Sequence, residues 1–226
     1  MTKNLAISMA LVIAAVVGIA VLAYSVDNRN APAAGGGADP TASSSTAPEE
    51  LLVRENSHYL SRADDSQVTV VEFLDFECEA CRAQFPIMER LREEYDGRIN
   101  LVIRYFPLPG HTNSEPAALA VEAAAEQDAL EEMYIKMYET QEEWGESQDS
   151  RVDVFEGFAE ELGLDMDRFR ATVADPATLD RVRADFDDGR QLGVQGTPTI
   201  YVNGRQTESM PTYEALSQAI DAELEP

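Results

Sequence analysis

The sequence predicts an α/β domain on three stretches: a strand-helix-strand opening over 68–106, a long helical run over about 115–192, and a hairpin with a closing helix over 199–224. Residues 68–74 read Val-Thr-Val-Val-Glu-Phe-Leu, rich in β-branched and aromatic side chains and nearly continuous in hydrophobicity, as a strand covered on both faces should be. Only Glu72 interrupts it. Ile87, Met88, Leu91 and Tyr95 then recur at helical spacing until Asp96-Gly97, and 99–106 reads as a second buried strand. In the run that follows, Trp144-Gly145, Gly163 and Asp175-Pro176 break the helical pattern and divide it into four helices. Residues 199–202 end at Asn203-Gly204, a pair suited to a tight hairpin turn, and 211–224 has the spacing of a closing amphipathic helix.

Ahead of this domain, 5–24 is a stretch of 20 residues without a charge, preceded by Lys3, and it matches the thickness of a bilayer's hydrocarbon core. It predicts a transmembrane helix. The competing reading is a cleaved signal peptide, whose apolar region is normally shorter, about 7 to 15 residues. Lys3 and the α-amino group favour residues 1–4 inside, a thin signal because Arg29 follows the helix; the expected location is the cell membrane, single-pass, with the bulk of the chain on the extracytoplasmic side. Residues 25–50, with Gly35-Gly36-Gly37, Ser43-Ser44-Ser45 and several prolines, read as a flexible tether, leaving 51–226 as one domain.

A balance of 17 Lys and Arg against 42 Asp and Glu, net charge -25, argues against nucleic acid as a partner, because a phosphate-binding groove needs clustered cations. The two cysteines, Cys78 and Cys81, supply no disulfide framework, and with two distant histidines, His58 and His111, they fall short of a complete four-ligand metal site. No bound cofactor is expected. Two thiols separated by two residues do suit disulfide exchange, which needs one ionised, accessible sulfur and a second close enough to displace it. Placed where a strand ends and a helix begins, Cys78 sits among unpaired N–H groups at the positive end of the helix dipole and is the attacking thiol. Cys81, one turn into the helix, is the resolving one. An extracytoplasmic compartment permits this chemistry.

The chain resembles the thioredoxin superfamily, and within it the DsbA-like extracytoplasmic proteins. The resemblance is carried by the strand through Leu74 leading into Phe76-Glu77-Cys78-Glu79-Ala80-Cys81, by Pro86 five residues after the second cysteine, and by Gly196-Thr197-Pro198-Thr199. It implies a thioredoxin-like fold in which the helices of about 114–192 are an insertion. It implies a cis Pro198 in a loop that faces the cysteines, with Thr197 and Pro198 as the platform for the substrate's backbone and Thr197 abutting the sulfurs. It also implies that Glu72 is the buried acid that moves the second thiol's proton; a carboxylate in a buried strand is costly unless used or paired, the alternative being a Glu that reaches solvent or is satisfied by a neighbouring group. The well-known member of that family carries Pro-His between its cysteines, whereas this chain carries Glu79-Ala80. With Asp75, Glu77 and Glu79 crowding the thiol against the pull of the helix N-terminus, a weaker oxidant is expected.

By the same resemblance, the expected substrates are thiols of secreted or cell-envelope proteins, and a quinone-linked membrane protein reoxidises the pair. Reductase or isomerase action is the alternative, although no dimerisation module stands out before the first strand; a tethered adaptor with inert cysteines is a reading from another class. Elsewhere, His111 reads as loop structure, His58 as the lead-in before the first strand, and Met133, Tyr134, Met137, Tyr138 and Trp144 as the core of the helical stretch. The acidic runs Glu142-Glu143 and Asp187-Asp188 read as solvated faces.

Overall fold

The computed structural model describes residues 46–64 and 67–225. No helix among them is long and apolar enough to cross a membrane; the predicted span 5–24 and the tether as far as residue 45 lie outside the described residues. The end of the predicted tether belongs to the fold instead. Ala47 N donates to Gly204 O at 2.8 Å, and Glu49–Leu52 forms a one-turn helix, α1, whose Leu52 is buried. The apolar Leu51-Leu52 pair is what the polar, glycine-rich composition upstream concealed.

A five-stranded sheet has the order β1-β3-β2-β4-β5, with β1 His58–Ser61, β2 Thr69–Leu74, β3 Asn100–Tyr105, β4 Thr199–Val202 and β5 Arg205–Gln206. β2 and β3 are parallel, joined by the crossover helix α2 (Glu79–Glu94), and the other pairs are antiparallel. β1 corrects the sequence reading, in which His58 preceded any strand. Its pattern His-Tyr-Leu-Ser is only partly buried, so an edge strand of four residues left no clear hydrophobic signature. At the other edge the hairpin turn is as expected: Asn203 and Gly204 both take positive φ, 45° and 79°, which a two-residue turn of this twist demands.

Between β3 and β4 run α3 (Ser114–Ala125), α4 (Leu130–Glu139), α5 (Gln141–Trp144), α6 (Val152–Glu161), α7 (Met166–Ala174) and α8 (Pro176–Leu192). The expected four helices become six. Asp128, at φ 60°, closes α3 without a glycine or proline to announce it, and Thr140 separates α4 from the single turn of α5. The breaks that were expected have visible causes: Asp175 caps α8 by accepting from Ala177 N at 2.9 Å, with Pro176 at its first position. The chain closes with α9 (Tyr213–Leu224).

Alternation along the strands sorts the core by face. Val70, Leu74, Leu101, Ile103, Ile200 and Val202 pack with α2, α9 and the inserted helices, where Met133, Tyr134, Met137, Tyr138 and Trp144 are all buried. Val71, Phe73, Val102 and Tyr201 face the other way, against Leu52, Phe186 and Leu192 of α1 and α8. There α8 comes so close that a Cβ on Gly189 would lie 2.7 Å from the Phe106 ring, so only glycine fits.

Arg104 points to this second face and is wholly buried. It donates to Asp185 Oδ1 and Asp188 Oδ2, each at 2.6 Å, and to the Leu51 and Leu52 carbonyls at 3.0 and 2.7 Å. Arg54 adds a second guanidinium to Asp188, and Arg181 adds one to Asp185 at 2.6 Å. Asp188 is therefore no solvated acid: of the Asp187-Asp188 run only Asp187 is exposed. Removing one member of a buried ion cluster strands the others. Asp188→Ala is expected to lower stability in urea by about 3 kcal/mol, and a loss of under about 1 kcal/mol, the usual worth of an exposed pair, would show that the cluster holds nothing together.

Candidate active site

β2 ends at Leu74, and four residues later α2 begins with Cys78 as its N-cap, φ -75° and ψ 121°. The turn between them is fastened from several sides. Cys78 N donates to Asp75 O at 3.2 Å; Gln141 Nε2, from α5, donates to Phe76 O at 2.6 Å and Cys78 O at 3.0 Å; and Tyr138 OH, from α4, donates to Asp75 O at 3.4 Å. Asp75 is buried, its Oδ1 accepting from Glu77 N at 2.8 Å and its Oδ2 from Leu108 N at 3.0 Å, with His111 Nδ1 2.6 Å from the same oxygen. Glu77 is buried too, accepting from Asn113 N at 2.6 Å. Asp75 and Glu77 are thus structural acceptors that tie the 107–113 loop to the turn. The expectation that they crowd the thiol as exposed charges is corrected; of the three acids only Glu79 is exposed.

Cys78 and Cys81 are both free thiols, and Cys81 is the deeper, 1% exposed against 7%. Their surroundings drive them apart. The Cys81 thiol hydrogen-bonds to Cys78 Sγ and, joined by the Thr197 hydroxyl and the backbone N–H groups of Ala80 and Cys81, outweighs burial and brings the Cys78 thiol down to about 6. Burial above all, then the hydrogen bond to Cys78 and the negative charge near it, pushes Cys81 well up. One sulfur is therefore a thiolate at neutral pH and its neighbour a thiol.

The Thr197-Pro198 bond is cis. Its loop faces the sulfurs as anticipated: Cys78 Sγ, while it carries its proton, donates to Thr197 O at 3.4 Å. The Thr197 hydroxyl is buried beside Cys78 with no oriented hydrogen bond, so it is free to turn its proton toward a thiolate. Glu72 lies on the same face of β2 as Leu74, opposite Ile103 and Ile200, and is only 3% exposed. Burial first, then the charges of Glu89 and Cys78, pushes its carboxyl up to about 8. Little of it meets solvent, and no hydrogen bond or ion pair to it is formed among the described residues. Nor do the described residues gather three His, Cys, Asp or Glu into a metal-binding cluster.

The family model described as Thioredoxin matches residues 62–222. A sodium/proton antiporter NhaA 3 from Salinispora tropica is 39% identical over 69% of this chain, but the chain spans only 23% of that relative's length. A protein of Bacillus cereus named "Probable disulfide bond formation protein D" is 30% identical over 98% of this chain and 97% of its own. The solved structure of a thioredoxin-like oxidoreductase from Silicibacter pomeroyi DSS-3 is 26% identical, with a TM-score of 0.66 over 78% of this chain and 97% of that one. The chain belongs to the DsbA-like thiol-disulfide oxidoreductases of the thioredoxin superfamily.

As a DsbA-like protein it brings Cys78, Cys81, Glu72, Thr197 and Pro198 to one end of the sheet, although Glu72 and Pro198 lie 126 positions apart in the chain. Gln141 and the Asp75–His111 pair also belong to this site, and nothing in their spacing announced them. Glu72 supplies a test through linkage. Its folded pKa is raised, so between the ordinary carboxyl range and about 8 the unfolded chain binds fewer protons than the folded one, and stability falls as pH rises. Glu72→Gln removes that loss: the reduced variant is expected to exceed the parent in stability by about 2–4 kcal/mol near pH 8 and to match it near about pH 5. A constant difference between the two across that range would mean that Glu72 is ionised in the fold.

Proposed function

We propose that the chain is a membrane-tethered oxidase of protein thiols, held by residues 5–24 with its catalytic domain on the extracytoplasmic side. The observation that carries the direction is the place of Cys78 as N-cap of α2 with Cys81 and the Thr197 loop beside it, which lowers its thiol, because a stabilised thiolate favours the reduced pair and makes its disulfide a ready oxidant. A substrate thiolate attacks Cys78 Sγ of the Cys78–Cys81 disulfide. The bond between the two cysteines breaks, a mixed disulfide forms on Cys78, and the electron pair leaves on Cys81, which takes a proton from Glu72. A second substrate thiolate then attacks the substrate's sulfur in the mixed disulfide, closing the substrate's disulfide and releasing Cys78 as its thiolate. The pair has gained two electrons and the substrate has lost two.

Thr197 and Pro198 are the platform against which the substrate's backbone lies. The thiols of secreted or cell-envelope proteins are the substrate class, and a quinone-linked membrane protein is the recycling partner that family resemblance suggests. The full-length similarity to a protein named for disulfide bond formation supports this reading, and the uncharged 5–24 stretch supports the tether. The oxidised protein, mixed with a reduced two-cysteine peptide, is expected to yield one peptide disulfide per Cys78–Cys81 pair consumed. Given an oxidised substrate, Cys81→Ser is expected to accumulate a reductant-sensitive adduct on Cys78, and Cys78→Ser none. Adducts on neither variant, or on Cys81 alone, would overturn the assignment of Cys78 as the exchanging sulfur.

A further inference from the structure

A cavity of about 400 Å³ lies beside the Thr197-Pro198 loop, and both of these residues line it. Its other wall, the stretch from Gln206 to Ser209, is built into the fold. Thr207 bonds to Ile200 O through its N–H at 2.9 Å and its hydroxyl at 3.2 Å, which fixes one end of this wall to β4. Gln84 Nε2 donates to Pro211 O at 3.1 Å and fixes the other end to α2. Gln84 lies three residues beyond Cys81 and is wholly buried, so the helix that carries the sulfurs also sets the position of the wall. Between the two anchors Met210 is exposed at φ 52°, a conformation that costs a non-glycine residue and persists where its surroundings fix it.

The lining has two characters. Pro198 and Ile200 are buried and offer apolar contact. Gln195, Gln206 and Glu208 add polar side chains, none of which has a hydrogen-bond or ion-pair partner among the described residues. Glu208 carries the only charge among the residues that line the cavity. Arg205, the cation nearest to it in sequence, is already paired with Glu223 at 2.5 Å, and Arg82 of α2 with Glu142 at 2.7 Å. An acidic guest would be repelled by Glu208, and an apolar one would strip water from a carboxylate and two amides without replacing their hydrogen bonds. Lys and Arg side chains meet both demands, with an aliphatic stem for Pro198 and Ile200 and a cationic head for Glu208; Arg adds donors for the glutamine oxygens.

We propose that this cavity is a specificity pocket, which takes a Lys or Arg side chain flanking the reacting cysteine of the substrate and pairs it with Glu208. The inference rests on the platform role of Thr197 and Pro198 proposed above, because a chain lying on that platform carries its neighbouring side chains past the cavity. It narrows the substrate class to protein thiols with a basic residue beside them. Glu208 is a specificity residue that meets the flanking side chain and leaves the sulfurs untouched.

The test mixes oxidised full-length protein with reduced two-cysteine peptides that differ only in carrying Arg or Glu beside the first cysteine, and reads the rate of peptide disulfide formation by acid quench and alkylation. A charge beside a thiol also changes that thiol's own ionisation, so the quantity compared is the Arg-to-Glu rate ratio of each variant against the parent's, in which this effect cancels. Glu208→Gln is expected to lower the ratio by roughly three- to fivefold, the worth of one partly exposed ion pair, and Glu208→Arg to lower it further. Asp64→Asn removes the same charge at the other end of the sheet, past β1, where Ala63 N donates to Asn100 at the start of β3, and is expected to leave the ratio unchanged. A ratio unmoved by Glu208→Gln, or lowered equally by Asp64→Asn, overturns the pocket while the oxidase reading stands. Failure of the parent to oxidise either peptide overturns the oxidase reading and the pocket with it.

Discussion

Residues 75–78 join the sheet, the inserted helices and the sulfur chemistry, and the hydrogen bonds that hold this turn are what the rest of the site depends on. The Cys78 thiolate needs the free N–H groups at the start of α2, and these point correctly only while the turn keeps its shape. Gln141 and Tyr138 hold it from the insertion, and Asp75 holds it from within while gathering Leu108 N and His111. The insertion is thus more than a cover. It supplies donors to three carbonyl groups of the turn, adding to the bonds that Cys78 N makes to Asp75 O and Arg82 N to Cys78 O.

Charge is distributed by the same logic. The molecule is strongly acidic, yet the carboxylates nearest Cys78 in sequence are not spent against it: Asp75 and Glu77 are turned into acceptors for backbone N–H groups, and Glu79 is left in solvent. A buried acceptor filled by donors leaves less field at the sulfur than a bare charge, and an exposed one is screened. On the opposite face of the sheet, Arg104 neutralises two buried aspartates and ends α1. Glu72 is the acid with no such compensation, and its raised pKa follows from that isolation.

What the sequence made legible was whatever local pattern encodes. The β2 and β3 runs, the helix breaks at Gly163 and Asp175-Pro176, the Asn203-Gly204 turn and the Cys78–Cys81 pair all carry their physics within a few residues of one another. His58–Ser61 was not legible, since a short edge strand is only half-buried; nor was the end of α3 at Asp128, where an acid takes a conformation usually left to glycine. The fate of Asp75, Glu77 and Asp188 was hidden for a different reason. Whether an acid is a surface charge or a buried acceptor depends on partners 33 to 134 residues distant, and spacing along the chain does not encode them.

All of these interactions bear on one quantity, the readiness of the Cys78–Cys81 disulfide to accept electrons. A Cys78 thiol at about 6 lies between thioredoxin's, near 7, and the strongly oxidising DsbA's, near about 3.5. Equilibrating the full-length protein in glutathione buffers and alkylating both thiols measures the potential directly. The account predicts a value more oxidising than the glutathione range but short of DsbA's, between about -200 and -120 mV. A value near thioredoxin's, about -270 mV, would contradict it, because the domain would then deliver electrons to its substrates.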